Sequence, residues 1–308
     1  MKTVFIHGSA GTTGLRIRER LADRGDIETV VLPDELRHDP AAVQKALNSC
    51  DAAFLCLPDS AAREAAEWVE NPEVIVLDTS TAHRTAPGWT YGFPELGGVQ
   101  AEKLRSAKRI AVPGCHASGF VALAAPLVSK GLLPPDAALT CFSLTGYSGG
   151  GKNMIAEYRS GDRDSLLDAP RQYGLSQNHK HLPEMAAVCG LTTPPIFCPI
   201  VADYYSGMEV TVPVFAAQLR GTPEEVRAAY RETYTGPVVR WLESDGENGF
   251  LSASALSGSD RMDISVHGNS ERLLLAARFD NLGKGASGAA IQCMNLAFGL
   301  DPTLGLAL

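Results

Sequence analysis

An apolar, β-branched run from Lys2 to His7 passes through Gly8-Ser9-Ala10-Gly11-Thr12-Thr13-Gly14 into a helical pattern over Leu15 to Arg24. No other feature constrains the fold of this chain as strongly. A strand that hands over to a helix through spaced glycines carries backbone N–H groups to the positive end of that helix, where a pyrophosphate is held. Glycine is needed wherever a Cβ would block close approach. The spacing is G-x-x-G-x-x-G rather than the usual G-x-G-x-x-G, and a tight turn without a ligand would look similar. As the first unit of an alternating pattern, the loop reads as a nucleotide site. The ribose reader stays open: Asp34, just past the second strand, favours NAD, whereas Arg37 and His38 favour the 2′-phosphate of NADP.

The alternation continues. Ile27 to Leu32, Ala52 to Leu57 and Val74 to Asp78 read as strands, and Pro40 to Asn48 and Ala61 to Val69 as helices. This spacing predicts a parallel, doubly wound sheet with helices on both faces. Arg109 to Val112 is one more strand, closed by Pro113-Gly114, and a helix follows from about His116 to Lys130. Beyond it the pattern changes. Strands are expected at Leu139 to Thr145, Ile196 to Ala202, Met208 to Val214, Pro237 to Leu242, Met262 to Gly268 and Leu273 to Asp280. One helix, Pro223 to Tyr234, interrupts them, and a last helix covers Ala286 to Phe298. The second half therefore reads as α+β with a mixed or largely antiparallel sheet, and the pattern change sets a boundary near residue 114.

The net charge of -8 argues against a broad nucleic-acid surface. No segment approaches the roughly 18 apolar residues of a membrane span. The N-terminal apolar run is too short for a secretion signal, and seven irregularly spaced cysteines suggest thiols rather than a disulfide framework. The expectation is a cytoplasmic protein.

Among those cysteines Cys115 has the distinctive setting, between a strand-ending Pro-Gly and a helix start. A helix N-terminus favours the thiolate, the form that attacks carbonyl carbon. Asn178-His179-Lys180-His181-Leu182-Pro183-Glu184 offers histidines as proton carriers. In an extended segment both rings would point to one side. Two histidines and a glutamate also suggest a partial metal site, without an evident further ligand. Arg84, after the fourth strand, is placed to pair with a carboxylate or phosphate. Ser148-Gly149-Gly150-Gly151-Lys152 and Gly283-Lys284-Gly285 are further loops able to wrap an anion, although neither has P-loop spacing.

In this order the motifs resemble the short form of the N-acetyl-gamma-glutamyl-phosphate reductase family. The resemblance runs nearly end to end: the Gly8–Gly14 loop, Leu57-Pro58, Asp78-Thr79-Ser80 with Arg84, Tyr91-Gly92-Phe93-Pro94-Glu95-Leu96, Pro113-Gly114-Cys115, the Ser148 loop, His179 to Glu184, and Asp280 to Gly288 with Gln292 and Asn295. It implies a Rossmann-type NADP-binding domain, residues 1–114 and 285–308, with the C-terminal helix packing back onto it. It also implies a catalytic and oligomerisation domain, residues 115–284, of the glyceraldehyde-phosphate dehydrogenase type. By the same resemblance Cys115 is the nucleophile in NADPH-dependent reduction of an acyl phosphate to an aldehyde, a step of arginine biosynthesis. Protons pass through His179 or His181, with His181 preferred. The implied cofactor contacts are Gly8, Ser9, Ala10, Gly11, Thr12, Thr13, Gly14, Arg37, Leu57, Pro58, Ser80 and Asn281. The implied substrate contacts are Arg84, Ser148, Lys284 and Glu184. No metal is implied, and the expected assembly is a homodimer or homotetramer. His116-Ala117-Ser118 after the cysteine departs from the Tyr-Pro-Thr of many long forms. The rival readings are another acyl-phosphate reductase, such as aspartate-semialdehyde dehydrogenase or an enzyme of carrier-bound glutamyl phosphate, and a non-catalytic NADP-sensing protein.

Overall fold

The computed structural model describes residues 1–243 and 247–308. Two compact units emerge. The first comprises Met1–Pro94, Gly98–Gly114 and Ala286–Leu306; the second comprises Glu95–Gly97, Cys115–Gly285 and Ala307–Leu308.

In the first unit β1 (Lys2–His7), α1 (Thr12–Ala22), β2 (Ile27–Val30), α2 (Pro40–Asn48), β3 (Ala52–Leu55), α3 (Asp59–Glu67), β4 (Ile75–Asp78), β5 (Thr90–Tyr91), α4 (Gly98–Ser106) and β6 (Arg109–Ala111) follow in order. Their strands form a sheet of order β2-β1-β3-β4-β6-β5, parallel throughout. Strands buried on both faces need apolar residues at successive positions, as in Ala52–Leu55. One face is packed by Ile17 and Leu21 of α1, Leu104 of α4, and Ala290, Ile291 and Met294 of α9 (Gly288–Ala297). The other is packed by Val43, Leu47 and Ala65 of α2 and α3. Each fully buried Phe or Leu there contributes about 2 kcal/mol through burial.

The second unit contains α5 (Cys115–Ser129), β7 (Thr140–Gly146), α6 (Gly151–Arg159), β8 (Arg171–Gln172), α7 (Leu182–Cys189), β9 (Ile196–Ala202), β10 (Met208–Phe215), α8 (Pro223–Thr233), β11 (Val239–Trp241), β12 (Met262–Gly268) and β13 (Arg272–Phe279). Its mixed sheet has the order β11-β12-β13-β10-β7-β9-β8. Helix α5 is apolar on nearly all sides and is buried accordingly. A Cβ at Gly119 would lie 2.5 Å from the Val210 side chain, so the glycine lets α5 press onto β10 and β13. That contact fixes the start of α5, where Cys115 sits.

Sequence boundaries shift by a few residues. Helix α1 begins at Thr12 rather than Leu15, because Gly11 is its N-cap and accepts the Leu15 N–H. Helix α5 already includes Cys115. The last helix opens with a π-helical turn, Gly283–Ser287, ahead of α9. Elements α4, α6, α7, β5 and β8 were not expected from the pattern. Helix α4 buries a single side chain, Leu104, and so carries almost no apolar periodicity, and α6 likewise buries only Tyr158.

Candidate active site

Cys115 is the first residue of α5 and is partly exposed. First-turn N–H groups favour negative charge at this place. A Cβ on Gly285 would stand 3.1 Å from the Cys115 Cβ, so the 280–285 turn needs glycine to pass the cysteine. Asp280 builds that turn: its Oδ1 accepts from Leu282 N at 2.7 Å, and its carbonyl from Gly283 N and Gly285 N. Burial pushes Cys50 up to about 11 and Cys56 up to about 12, and raises Cys141 and Cys189 further.

Three histidines meet beside this helix end. His116, 4% exposed, lies 5.9 Å from His179 and 5.7 Å from His181, ring centre to ring centre, with Phe197 at 5.3 Å. Its Nδ1 is 2.7 Å from Ser143 Oγ and its Nε2 is 2.7 Å from Tyr173 Oη. Burial, reinforced by His179, lowers His116 to about 3, so it is neutral at any working pH. His179 is also lowered, first by burial and then by Lys180.

The extended geometry expected for His179 and His181 is not found. Residues 180 and 181 form a turn, and His181 is the N-cap of α7 in a right-handed helical conformation. The rings still meet, edge to face at 4.8 Å. The backbone N–H of His181 donates to His179 Nδ1 at 3.2 Å. A backbone amide can only donate, so neutral His179 carries its proton on Nε2. Glu184 stands in the first turn of α7, 2% exposed. Among the described residues no group of His, Cys, Asp and Glu is arranged to hold a metal ion.

The other predicted residues of this unit are internally engaged. Asn281 donates from Nδ2 to Ser148 Oγ at 3.0 Å and accepts from Gly207 N at 2.9 Å. Lys284, 1% exposed, pairs with Glu95 at 2.7 Å. Sequence reasoning did not single out Ser143, Tyr173 or His116, which the fold joins by hydrogen bonds. The available signal was a histidine directly after the cysteine.

In the first unit Gly8 has φ +85, and a Cβ there would lie 2.3 Å from Cys56 O. A Cβ on Gly14 would lie 2.4 Å from Gly8 O. Both glycines answer to internal packing. Gly11 does not, since its Cβ would meet nothing closer than 3.4 Å. It leaves room for a ligand at the start of α1, where no side chain caps the helix and the first turn holds no acid. A dinucleotide pyrophosphate fits this cradle. Pro58 is the N-cap of α3, and Leu57 packs against the core beneath it. Arg37 pairs with Asp34 at 3.3 Å, which joins the two opposed ribose readers in one exposed ion pair. Ser80 donates from N and Oγ to Asp78, which also binds His83 Nδ1 at 2.7 Å. Arg84 donates Nε to Val112 O and Nη2 to Thr79 O, tying the ends of β6 and β4 together.

Residues 115–281 match the family model described as semialdehyde dehydrogenase, dimerisation domain, and residues 33–107 the one described as semialdehyde dehydrogenase, NAD binding domain. The chain is 44% identical over 319 residues to N-acetyl-gamma-glutamyl-phosphate reductase of Trichormus variabilis, covering 98% of each. It is 42% identical over 305 residues to N-acetyl-gamma-glutamyl-phosphate reductase 2 of Pseudomonas putida, covering 96% of each. Among solved structures, aspartate semialdehyde dehydrogenase II of Vibrio cholerae complexed with ASA superposes with a TM-score of 0.70 at 16% identity, over 97% of this chain and 98% of that one. The Candida albicans aspartate semialdehyde dehydrogenase with NADP gives 0.66, also at 16%, over 96% and 98%.

Proposed function

The chain belongs to the N-acetyl-gamma-glutamyl-phosphate reductase family, and from that membership we propose how its residues perform the reaction. The protein reduces N-acetyl-gamma-glutamyl phosphate to N-acetylglutamate 5-semialdehyde and phosphate with NADPH, a step of arginine biosynthesis. The observation that carries the residue assignment is the thiol at the first position of α5, beside three histidines.

Cys115 sulfur attacks the acyl carbon, the bond to the phosphate oxygen breaks, and phosphate leaves a thioester behind. A thioester accepts hydride far better than a carboxylate does; the bound nicotinamide supplies that hydride. The carbon–sulfur bond then breaks as the oxyanion re-forms a carbonyl, releasing aldehyde and thiolate. His181 moves the proton to and from sulfur. His179 is the less suitable carrier, because protonating its Nδ1 would break the bond from the His181 amide. Instead His179 presents Nε2–H as a fixed donor. The Gly8–Gly14 loop holds the pyrophosphate at the start of α1, and Gly11 provides the room.

The second sheet supports an assembly. Phe142, Ile196, Phe215 and Leu274 are 41%, 60%, 62% and 45% exposed and share its open face by register. An apolar face of this kind suits a second copy of the chain, giving a homodimer or homotetramer. No helix among the described residues is long and apolar enough to cross a membrane, and the biosynthetic role fits the cytoplasm.

The test is turnover by the purified protein, run as NADP+ reduction with N-acetylglutamate 5-semialdehyde and phosphate. Activity that needs phosphate and prefers the acetylated aldehyde over aspartate semialdehyde is expected. A preference for aspartate semialdehyde, or NADP+ binding without turnover, would overturn the reading.

A further inference from the structure

Ser143 is fully buried on β7, and among the described residues its hydroxyl has one partner, His116 Nδ1 at 2.7 Å. A hydroxyl carries one proton, and a buried proton without an acceptor costs about 1–3 kcal/mol. Ser143 therefore donates, and Nδ1 of His116 accepts. Neutral imidazole has a single N–H, so that proton sits on Nε2. Nε2–H then donates to Tyr173 Oη, 2.7 Å away. The chain of bonds runs one way, from Ser143 through His116 to Tyr173. With its oxygen already accepting from His116, the Tyr173 hydroxyl keeps its own proton to give. It has no other hydrogen-bond partner among the described residues.

We propose that His116 is a positioning residue which, set by Ser143, makes the Tyr173 hydroxyl a committed donor to the negative charge that develops at Cys115. His116 follows Cys115 directly in the first turn of α5, so the relay begins one residue from the sulfur. The proposal rests on Cys115 being the nucleophile. Supporting it, burial raises Tyr173 above the usual phenol range, with Cys115 as the second cause, so the phenol keeps its proton. His116 is kept neutral by burial, which preserves the direction of the relay.

Two measurements test this on the full chain. The first is 15N NMR of histidine-labelled protein, with His116 assigned by its loss in His116→Gln. A neutral ring protonated at Nε2 is expected; a proton on Nδ1 would overturn the relay. The second is a kinetic cycle. Tyr173→Phe should lower kcat about a hundredfold, the cost of one donor aimed at developing charge. Ser143→Ala frees the relay to reverse and should lower kcat about tenfold, with the KM for NADP+ unchanged and Ser143→Thr restoring activity. In the Tyr173→Phe background Ser143→Ala should cost nothing more. An equal cost in both backgrounds would mean that Ser143 merely supports packing, and would sink the proposal. Turnover surviving Cys115→Ser would remove the nucleophile assignment while leaving the NMR result intact, so the two failures are distinguishable.

Discussion

Two helix starts hold the candidate sites of this chain, and they are built in opposite ways. At α1 the backbone does the work: Gly11 caps the helix with no side-chain bond, no acid follows in the first turn, and Ala10 and Gly11 are exposed. At α5 a side chain does it: Cys115 is partly exposed, but His116, Ala117, Ser118 and Gly119 behind it are buried. The same excess of N–H groups and the same dipole serve both ends. An open end recognises an anion that arrives from solution. A packed end activates an atom that belongs to the protein and holds the partners of that atom in one arrangement. Side chains are therefore replaceable around α1, provided the glycines stay, and hardly replaceable around α5.

The division is tested first at the sulfur. Cys115→Ser should cut turnover by about six orders of magnitude, as removal of a nucleophile does. NADP+ affinity, read by quenching of intrinsic fluorescence, should stay at the wild-type level. A matching loss of affinity would show that the two helix ends are not separate devices. Next, His181→Asn should lower kcat by about a thousandfold and abolish the limb of the pH profile that reports proton transfer. His179→Asn should cost about tenfold and leave that limb in place, since its Nδ1 already accepts from a backbone amide. Equal losses would return the two histidines to equivalence. At α1, Gly11→Asp separates folding from binding. Gly11 has φ -72 and ψ 166, which any residue adopts, and Asp is a preferred N-cap. The melting temperature should hold or rise slightly, while the KM for NADP+ rises about a hundredfold through repulsion of the pyrophosphate. An unchanged KM would move the cofactor away from this loop.

The same contrast governs what could be read from sequence. The α1 site was legible because its parts are contiguous and its glycines follow from sterics. Gly8 and Gly14 are forced by neighbouring backbone, and Gly11 by the space left for a ligand. Cys115 was legible for a similar reason, from Pro113-Gly114 and the helix start. Its environment was not. Ser143, Tyr173 and His181 gather around His116 from β7, from the segment before α7 and from the α7 cap, and nothing in local spacing announces that convergence. The fold shows the same limit. Buried strands such as β3 announce themselves, whereas α4, with only Leu104 inward, does not. Lys284 reads as an anion contact because loops rich in glycine and lysine suit anions, and Asn281 as a cofactor contact by the family resemblance. In the fold their polar groups meet Glu95, Ser148 and Gly207, partners distant in sequence.

The smallest expected effect concerns the packed end alone. His116 has an ordinary value of 6.5 and is lowered to about 3 by burial and by His179. Below pH 6.5 the unfolded chain takes up a proton on this residue, and the folded chain does not until near pH 3. The unfolded state then binds more protons, so stability falls as pH falls through that window and is fully retained above it. His116→Gln removes the difference. Between about pH 4 and 6.5 the unfolding free energy of wild type should fall more steeply than that of the variant, by up to about 1.4 kcal/mol per pH unit. Urea midpoints at constant ionic strength measure it. His179 is lowered as well, but it contributes to both proteins and cancels from the comparison. Parallel slopes would mean that His116 charges as readily in the folded protein as in water. An imidazole closed between Ser143 and Tyr173 could not do that without breaking the bond that Ser143 donates.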